Sequence, residues 1–292
     1  MKKAKGTLLL LCTALIWGMA FVAQRAGMEY VGPITMQGVR CMLGCVSLLP
    51  VVVLRRRMTK AAEPLPSLKA SLVCGVVFTV ASTIQQTGIQ YTTAGKAGFI
   101  SALYVVLVPL FGLFFGRRVK GQVWISVVLS MVGLYMMSAV GELSMNKGDY
   151  LTLVSAVFFA VHIMAVGHYA PTCDGVALSC AQFLVAGALA LPLALVVEKP
   201  AAGQILSAWL PLCYAGILSC GVAYTLQIIG QRSTPPTVAS LVLCLESVFA
   251  ALSGAVLLHE RMSAPELGGC ALMLFAVVLS QLPLQLLRRK EY

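Results

Sequence analysis

Ten long apolar stretches, separated by short polar connections, account for almost the whole chain. A helix needs about 20 largely apolar residues to cross a bilayer, and each stretch comes close to this length. The pattern predicts an all-α membrane protein with ten transmembrane helices. The predicted segments are 7–24, 33–54, 70–90, 95–116, 121–140, 149–168, 176–197, 207–230, 237–258 and 264–286.

The two halves of the sequence repeat each other at a constant offset, the one that carries Gly6 onto Gly148. We call it the repeat offset. It aligns the first four apolar segments of each half without a gap. We therefore predict two five-helix repeats, residues 1–146 and 147–292. The repeat offset also pairs Pro50 with Pro192, Gln85 with Gln227, Gly88 with Gly230 and Thr92 with Thr234.

Because five is an odd number, the second repeat is predicted to cross the membrane in the opposite sense to the first. Lys and Arg concentrate in cytoplasmic loops, so an inverted copy should lack them where the first copy has them. Residues 55–57 are all Arg, and they correspond to Val197, Glu198 and Lys199. With both termini in the cytoplasm, 15 of the 21 basic residues lie on that side. That set includes Lys2, Lys3, Lys5, residues 55–57, Arg117, Arg118, Lys120, Arg232 and residues 288–290.

Composition and charge indicate whether the chain meets lipid, nucleic acid or water. Hydrophobic residues make up 59% of the chain and charged residues 11%, against about 25% charged in an ordinary soluble domain. The net charge of +11 sits in short clusters between apolar stretches, so it indicates membrane topology and not nucleic acid. The expected surroundings are a lipid bilayer, and a soluble binding module is excluded.

Three segments carry a family resemblance that extends over nearly the whole chain. They are ALIWGMAF in the first helix, SALYVVLVPLFGLFFGRR in the fourth and LESVFAALSGAVLLHER in the ninth. In order and spacing they resemble the EamA-type transporters of the drug/metabolite transporter superfamily. The resemblance implies a multi-pass carrier or exporter of small metabolites in a bacterial inner membrane. One departure is Ser247, which stands where the family often has Pro after Glu.

Inverted repeats are typical of secondary transporters, whose substrate site lies near the bilayer midplane between the repeats. We therefore expect an exporter or exchanger of a small metabolite, such as an amino acid, that works by alternating access. A flippase for a lipid or lipid-linked substrate is the alternative, because its hydropathy would be the same. An enzyme is not expected, since no buried nucleophile and base pair and no metal-ligand cluster is evident.

Polar residues recur every three or four positions in several of the predicted helices, which places them on one helical face. Such faces either pack against other helices or line a cavity. They comprise Thr13, Trp17, Ala20 and Gln24; Gln37, Arg40, Gly44 and Ser47; Thr79, Thr83, Gln86 and Gln90; Ser155, Phe159 and His162; and Cys220, Tyr224, Gln227 and Gln231.

Glu246 is the only charged residue between Thr237 and Leu258. An ionisable group at the bilayer centre costs about 2.5 to 3.5 kcal/mol on insertion scales and is by default a functional-site hypothesis. Glu246 could exchange a proton or bind a cation during transport, or it could make a structural hydrogen bond or ion pair. Tyr104 occupies the equivalent position in the first repeat.

Arg40, Lys96 and His162 are the other ionisable groups of interest. Arg40 could extend to the lipid headgroups or point inward and bind a carboxylate or phosphate through two hydrogen bonds. Lys96 is expected to anchor its helix at the membrane interface. His162 could carry protons or serve only in packing.

Eight residues are predicted to line the transport pathway: Trp17, Arg40, Gln86, Tyr104, His162, Tyr224, Gln227 and Glu246. No cofactor and no metal site is expected, and protons are the candidate coupling ion. The ten cysteines show no CxxC pair and are interpreted as small hydrophobic residues. Gly112 and Gly116 form a GxxxG pair, which is compatible with packing inside the bundle or with a homodimer.

Overall fold

The computed structural model describes residues 2–58, 63–92, 94–116, 119–138, 145–257 and 262–282. Most of these residues are helical, and none of them lies in a β-strand. The predicted all-α class is therefore confirmed. Of the residues in the charge count, Lys60, Arg117, Arg118, Arg261 and the group 288–290 lie outside the described residues.

The helices follow one another with short connections. In the first half they are α1 (Lys2–Gly27), α2 (Pro33–Met58), α3 (Leu68–Ile89), α4 (Ala94–Ser101), α5 (Tyr104–Phe114) and α6 (Gly121–Ser138). In the second half they are α7 (Lys147–Tyr169), a 3₁₀ turn (Ala170–Thr172), α8 (Gly175–Val197), α9 (Ala202–Ser207), α10 (Trp209–Cys213), a π-helical segment (Tyr214–Tyr224), α11 (Thr225–Gln231), α12 (Pro236–Leu243), α13 (Glu246–Leu257) and α14 (Ala264–Gln281).

Nine stretches of the described chain are long and apolar enough to cross a bilayer, and each coincides with a predicted segment. The fifth predicted segment corresponds to a shorter apolar helix, Gly121–Met137. At 1.5 Å per residue it covers about 26 Å, somewhat less than the hydrocarbon thickness of about 30 Å. Nine of the ten predicted spans are thus found at full length in the described ranges, and the fifth, predicted over 121–140, is described as this shorter helix.

Two spans are interrupted at equivalent positions. One break, between α4 and α5, lies at Ala102–Leu103, and the repeat offset carries it onto the other, Cys244–Leu245, between α12 and α13. At both breaks backbone amides donate to the carbonyl three residues back, which tightens the turn. Tyr104 and Glu246 follow directly. The second break forms without a proline, so Ser247 does not prevent it.

Helices of the two halves cross with opposed chain directions. Gly6 in α1 lies against Gly230 in α11, whereas Thr13, farther along α1, donates a 3.0 Å hydrogen bond to the carbonyl of Ala223, which precedes α11. Contacts therefore advance along one helix as they recede along the other. The pairs α2 with α8 and α6 with α14 cross in the same way.

Glycines allow the closest of these crossings. Gly88 in α3 lies against Gly148 in α7, and the repeat offset relates this contact to that of Gly230 with Gly6. A Cβ at Gly148 would stand 2.5 Å from the carbonyl oxygen of Gly88, and a Cβ at Gly6 would stand 2.9 Å from that of Gly230. Larger residues at these positions would force the helices apart.

The first turns of α2 and α8 are capped differently. In α8 the side chain of Asp174 accepts two amides of its own first turn. The equivalent of Asp174 is Gly32, and the carboxylate of Glu198 from the other half takes that place. It accepts from the amide of Ile34 at 2.9 Å and the amide of Thr35 at 2.8 Å. The start of α2 is thus completed by a residue distant in sequence.

Candidate substrate site

Glu246 lies inside the helix bundle, and its residue is only 4% exposed. The break that precedes α13 places it opposite the other interrupted span. There the hydroxyl of Tyr104 donates a 3.0 Å hydrogen bond to its Oε1. These two equivalent positions of the repeats are thus in direct contact. Within the described ranges, no cation lies within 4.0 Å of the carboxyl.

Arg40 also points into the bundle and is 2% exposed, so it does not extend to the lipid headgroups. Neutral side chains hold its guanidinium. Nε and Nη2 donate to Gln37 Oε1 at 2.9 and 2.7 Å, and Nη1 donates to Gln24 Oε1 at 2.6 Å. Nη2 also donates to Ser82 Oγ. None of the carboxylates in the described residues forms an ion pair with Arg40.

Aromatic rings stand between the two charged positions. The rings of Trp17 and Tyr224 lie 4.4 Å apart between centroids, and Phe78 meets Tyr224 edge to face at 4.9 Å. Phe183 contacts both Phe78 and Tyr224. This packing fixes the ring of Tyr224 from several directions. The indole Nε1 of Trp17 is buried and has no hydrogen-bond partner among the described residues.

These elements line a small, partly open cavity of about 30 Å³. A space of that size holds one or two water molecules, so a metabolite would need the helices to move. Five of the eight predicted residues line it: Trp17, Arg40, Tyr104, Tyr224 and Glu246. The other lining residues are Ala20, Phe21, Gln24, Gln85, Phe159 and Ser219.

The remaining three predicted residues are buried but do not belong to this lining. The amide nitrogen of Gln86 donates to Met28 Sδ at 3.1 Å. His162 Nε2 lies 3.0 Å from Gln182 Oε1. Gln227 is fully buried, and neither of its amide atoms has a hydrogen-bond partner in the described part of the chain.

The glutamine of helix α3 that lines the cavity is Gln85 and not the predicted Gln86. Gln85 donates to Ser101 Oγ at 2.8 Å. The repeat offset pairs Gln85 with Gln227 and was the signal that could have identified it. Gln24 was on a predicted polar face but not among the predicted pathway residues. The structure shows that it lines the cavity and accepts a hydrogen bond from Arg40. Ser219 had no distinguishing signal.

The described residues hold neither a cluster of metal ligands nor paired cysteines. In the described ranges, no group of three or more His, Cys, Asp or Glu side chains is placed to hold a metal ion. The ten cysteines are free thiols. Cys45 Sγ and Cys180 Sγ lie 3.7 Å apart, across the contact of α2 with α8.

Ion pairs lie toward both ends of the bundle. We call the end with Gly6 and Arg232 the N-terminal end, and the end with Thr92, Lys96 and Asp149 the distal end. Lys96 Nζ lies 2.6 Å from Asp149 Oδ2, so its expected role as a membrane-interface anchor is replaced by an internal ion pair. At the N-terminal end Arg232 pairs with Glu63 at 2.7 Å, and this bonded carboxylate raises the pKa of Arg232 above its ordinary value.

Known proteins resemble the chain over most of its length. It is 30% identical over 287 residues to an uncharacterized transporter of Archaeoglobus fulgidus, covering 96% of this chain and 87% of that protein. It is 27% identical over 271 residues to the uncharacterized inner membrane transporter YedA of Escherichia coli K12, covering 91% and 87%. A solved crystal structure shares the fold with a TM-score of 0.81 at 16% identity, covering 98% of this chain and 99% of the other.

These relatives support a transporter role in a membrane, in agreement with the nine long apolar helices of the described ranges. A family profile makes the relationship specific. The profile of the EamA-like transporter family matches residues 4–139 and matches again at residues 146–282. As the motifs of the first, fourth and ninth helices indicated, the chain belongs to the EamA-like transporter family.

Proposed function

We propose that the protein is a secondary active transporter, an exporter or exchanger, of a small metabolite that carries both a carboxylate and an ammonium group, such as an amino acid. One observation carries the proposal. Arg40 and Glu246 line the same cavity, and neither forms an ion pair with a described residue. Buried ionisable groups are costly unless they are paired or functional. A zwitterionic ligand would supply a partner for each.

The carboxylate of the ligand would bind at Arg40. Four hydrogen bonds to neutral acceptors hold the guanidinium in place, and its planar geometry suits a carboxylate. A ligand carboxylate that displaces Gln24 from Nη1 would exchange a neutral acceptor for a charged one, which forms a stronger hydrogen bond. Gln37 and Ser82 would keep the guanidinium oriented meanwhile.

The ammonium group would bind at the other side of the cavity. Glu246 offers a carboxylate oxygen there, and the adjacent faces of Trp17 and Tyr224 attract cations. Glu246 could alternatively release a proton as the ligand binds, which would couple transport to the proton gradient. In both cases Tyr104 holds the carboxyl group through its hydroxyl.

Alternating access of the two repeats, residues 1–146 and 147–292, is the mechanism that we propose. The equivalent breaks at Ala102–Leu103 and Cys244–Leu245, the glycine crossings related by the repeat offset and the opposed helix directions support an inverted repeat. Rocking of such halves about a central site is the usual movement of this architecture. It would also enlarge a cavity that is too small for a metabolite.

The charge distribution supports an orientation with both termini in the cytoplasm, and the inner membrane location in the name of YedA supports a cell membrane. The residues that line the cavity are mostly buried within the bundle. A lipid flippase would instead use a groove open to lipid, so the burial of the lining residues favours a soluble metabolite over the flippase alternative.

The proposal can be tested with purified protein by a thermal-stability screen at acid and neutral pH. We expect zwitterionic amino acids to raise the melting temperature, and the corresponding amines and carboxylic acids to raise it less. Glu246→Gln should remove the preference for the ammonium group and any pH dependence of the effect. Arg40→Gln should remove the preference for the carboxylate.

Glu29→Gln is the matched control, because it makes the same chemical change at an exposed residue and should leave the ligand effect intact. A ligand effect that is unchanged in Glu246→Gln would make that residue structural. Equal stabilisation by simple amines and by amino acids would contradict the role of Arg40. If no soluble metabolite stabilises the protein, the flippase alternative gains support.

A further inference from the structure

A cluster of buried polar groups lies beside the cavity without belonging to it. Ser179, Gln182 and His162 are fully buried, as is Gln227. Five of their polar atoms have no hydrogen-bond partner among the described residues: Ser179 Oγ, Gln182 Nε2, His162 Nδ1 and both amide atoms of Gln227. Buried polar atoms without partners are rare in native proteins and demand an explanation.

Contacts and helical spacing place the four side chains near one another. Ser179 precedes Gln182 by three residues in α8, so the two lie on one helical face. His162 Nε2 lies 3.0 Å from Gln182 Oε1, and the ring of His162 lies 6.1 Å from that of Tyr224. Gln227 follows Tyr224 by one helical turn, and Gln231 on the same face donates to the carbonyl of Ile163. Gln227 therefore faces α7 near the level of His162, and Tyr224 stands between this region and the cavity.

The sequence repeat relates the cluster to the binding region around Arg40. The repeat offset pairs Gln37 with Ser179, Arg40 with Gln182 and Gln85 with Gln227. In the first half these positions hold the guanidinium network and line the cavity. In the second half the same positions carry neutral groups, each with at least one polar atom that has no partner among the described residues. The cluster is thus the uncharged counterpart of the Arg40 region.

The chemistry of the free atoms defines what could bind. With Nε2 of His162 donating to Gln182, its Nδ1 is an acceptor. Gln182 Nε2 supplies donors, Gln227 supplies both kinds, and the hydroxyl of Ser179 can act as either. A site with both donors and acceptors and without net charge suits a neutral hydrogen-bonding group.

We propose that Ser179, Gln182, His162 and Gln227 form a second polar subsite, across Tyr224 from the cavity, that takes a neutral hydrogen-bonding group. Water or the uncharged polar end of a transported molecule has this chemistry. If the subsite binds the transported molecule, the proposal rests on the proposed function. If it binds water, the proposal is independent of that function.

Access of small polar molecules can be tested without knowing the substrate. Membranes containing the full chain are treated with diethyl pyrocarbonate, and mass spectrometry follows carbethoxylation of each histidine. His168 is exposed and serves as the internal reference. Modification of His162 that increases with time alongside that of His168 would support a solvated subsite. Complete modification of His168 with His162 untouched would overturn it.

Gln227→Leu tests the link to transport, because it removes both amide atoms at nearly constant volume. Since those atoms have no partners among the described residues, the variant should melt at or above the wild-type temperature.

The exchange of amino acids across the membrane of proteoliposomes should fall about tenfold in this variant, which corresponds to the loss of one hydrogen bond. Thr234→Val is the matched control: Thr234 Oγ1 is also a buried hydroxyl without a partner in the described part of the chain, and its loss should leave exchange unchanged. Ser179→Ala provides a second variant if Gln227→Leu fails to fold.

Histidine labelling and the exchange assay together distinguish water from the transported molecule as the occupant of the subsite. Reactive His162 with normal exchange in Gln227→Leu supports water as the occupant, whereas reactive His162 with slowed exchange supports a station for the transported molecule. An unreactive His162 refutes the hydration site, unchanged exchange in folded Gln227→Leu and Ser179→Ala refutes the station for the transported molecule, and both results together refute the subsite. Wild-type protein that exchanges no amino acid would count against the proposed function, and the reactivity of His162 would still decide the hydration site.

Discussion

The two ends of the bundle have equivalent helix crossings but are held together by different forces. At the distal end the contact of Gly88 with Gly148 is flanked by a buried charge cluster. The carboxylate of Asp149 is fully buried, whereas the side chain of Lys96 is 31% exposed. Asp149 binds both Lys96 Nζ and Thr92 Oγ1 at 2.6 Å. Arg25 adds a hydrogen bond to the carbonyl of Thr92 at 2.8 Å. Charge thus joins three spans there.

At the N-terminal end the equivalents of Asp149, Thr92 and Lys96 are Thr7, Thr234 and Val238, none of which is charged. Two ion pairs lie at this end, Glu63 with Arg232 and Arg55 with Asp174. In each pair one side chain is well exposed, at 45% for Glu63 and 49% for Arg55, and exposed pairs contribute little. The comparison shows that equivalent helix crossings at the two ends can be stabilised by charge interactions of different strength. If the halves rock, we expect the N-terminal end to open at a lower cost in free energy.

The largest effect should follow from breaking the distal ion pair. Lys96→Met leaves the buried carboxylate of Asp149 without its cation, at a cost of up to about 3 kcal/mol, since Lys96 itself is partly exposed. Unfolding of the purified protein in mixed micelles measures this. The double variant Lys96→Met/Asp149→Asn should recover most of the loss. Equal destabilisation by the single and double variants would show that the pair does not hold this end.

Overpacking of the glycine crossings should have the next largest effect. Gly148→Ala puts a methyl group against the backbone of Gly88 and Tyr91, at a cost of about 2 kcal/mol. Gly6→Ala should cost less, since two of its three nearest neighbours are the hydroxyl groups of Ser233 and Thr234. Melting temperatures of the two variants compare the ends directly. The reverse order would contradict a more tightly held distal end.

Threonine to valine changes should distinguish the ends more finely. Thr92→Val removes a hydrogen bond to a buried carboxylate and should cost about 1.5 kcal/mol. Thr234→Val removes a hydroxyl without a partner in the described structure and should change stability by less than about 0.5 kcal/mol. Chemical unfolding of both variants provides the test. Similar losses would mean that Thr234 makes an equivalent bond in solution.

Transplanting the distal pair should have the smallest effect. Thr7→Asp and Val238→Lys place the charges of Asp149 and Lys96 at the equivalent positions of the N-terminal end. A double-mutant cycle should give a favourable coupling of about 0.5 kcal/mol, together with slower transport because that end opens less readily. A coupling of zero would indicate that the two ends differ in backbone geometry as well as in charge.

Much of the architecture could be predicted from the sequence, because bilayer thickness fixes the length of an apolar helix. The site was partly predictable for a related reason. Glu246 and Arg40 are conspicuous where charge is costly, and the repeat offset connected Tyr104 to Glu246 before their contact was known. The predicted membership of the EamA family is confirmed.

What could not be predicted depends on rotation and on contacts between distant residues. Successive helical residues point about 100° apart, so a polar run such as Gln85 and Gln86 leaves the inward member ambiguous. Lys96 near the start of a span has the pattern of an interfacial anchor, and only the position of Asp149 in the fold shows its actual partner. The breaks before Tyr104 and Glu246 carry no proline, so no residue type marks them in advance.

The cap at the start of α2 has a consequence for biosynthesis. The carboxylate of Glu198 that completes the first turn lies 163 residues beyond Thr35 in the chain, whereas α8 carries its own cap in Asp174. During translation α2 leaves the ribosome long before Glu198 exists, and its first turn stays unfinished until the other half has been inserted. If residues 1–146 are made alone, the first turn of α2 should therefore be frayed. Residues 147–292 made alone should keep the cap of α8, because Asp174 belongs to the same half.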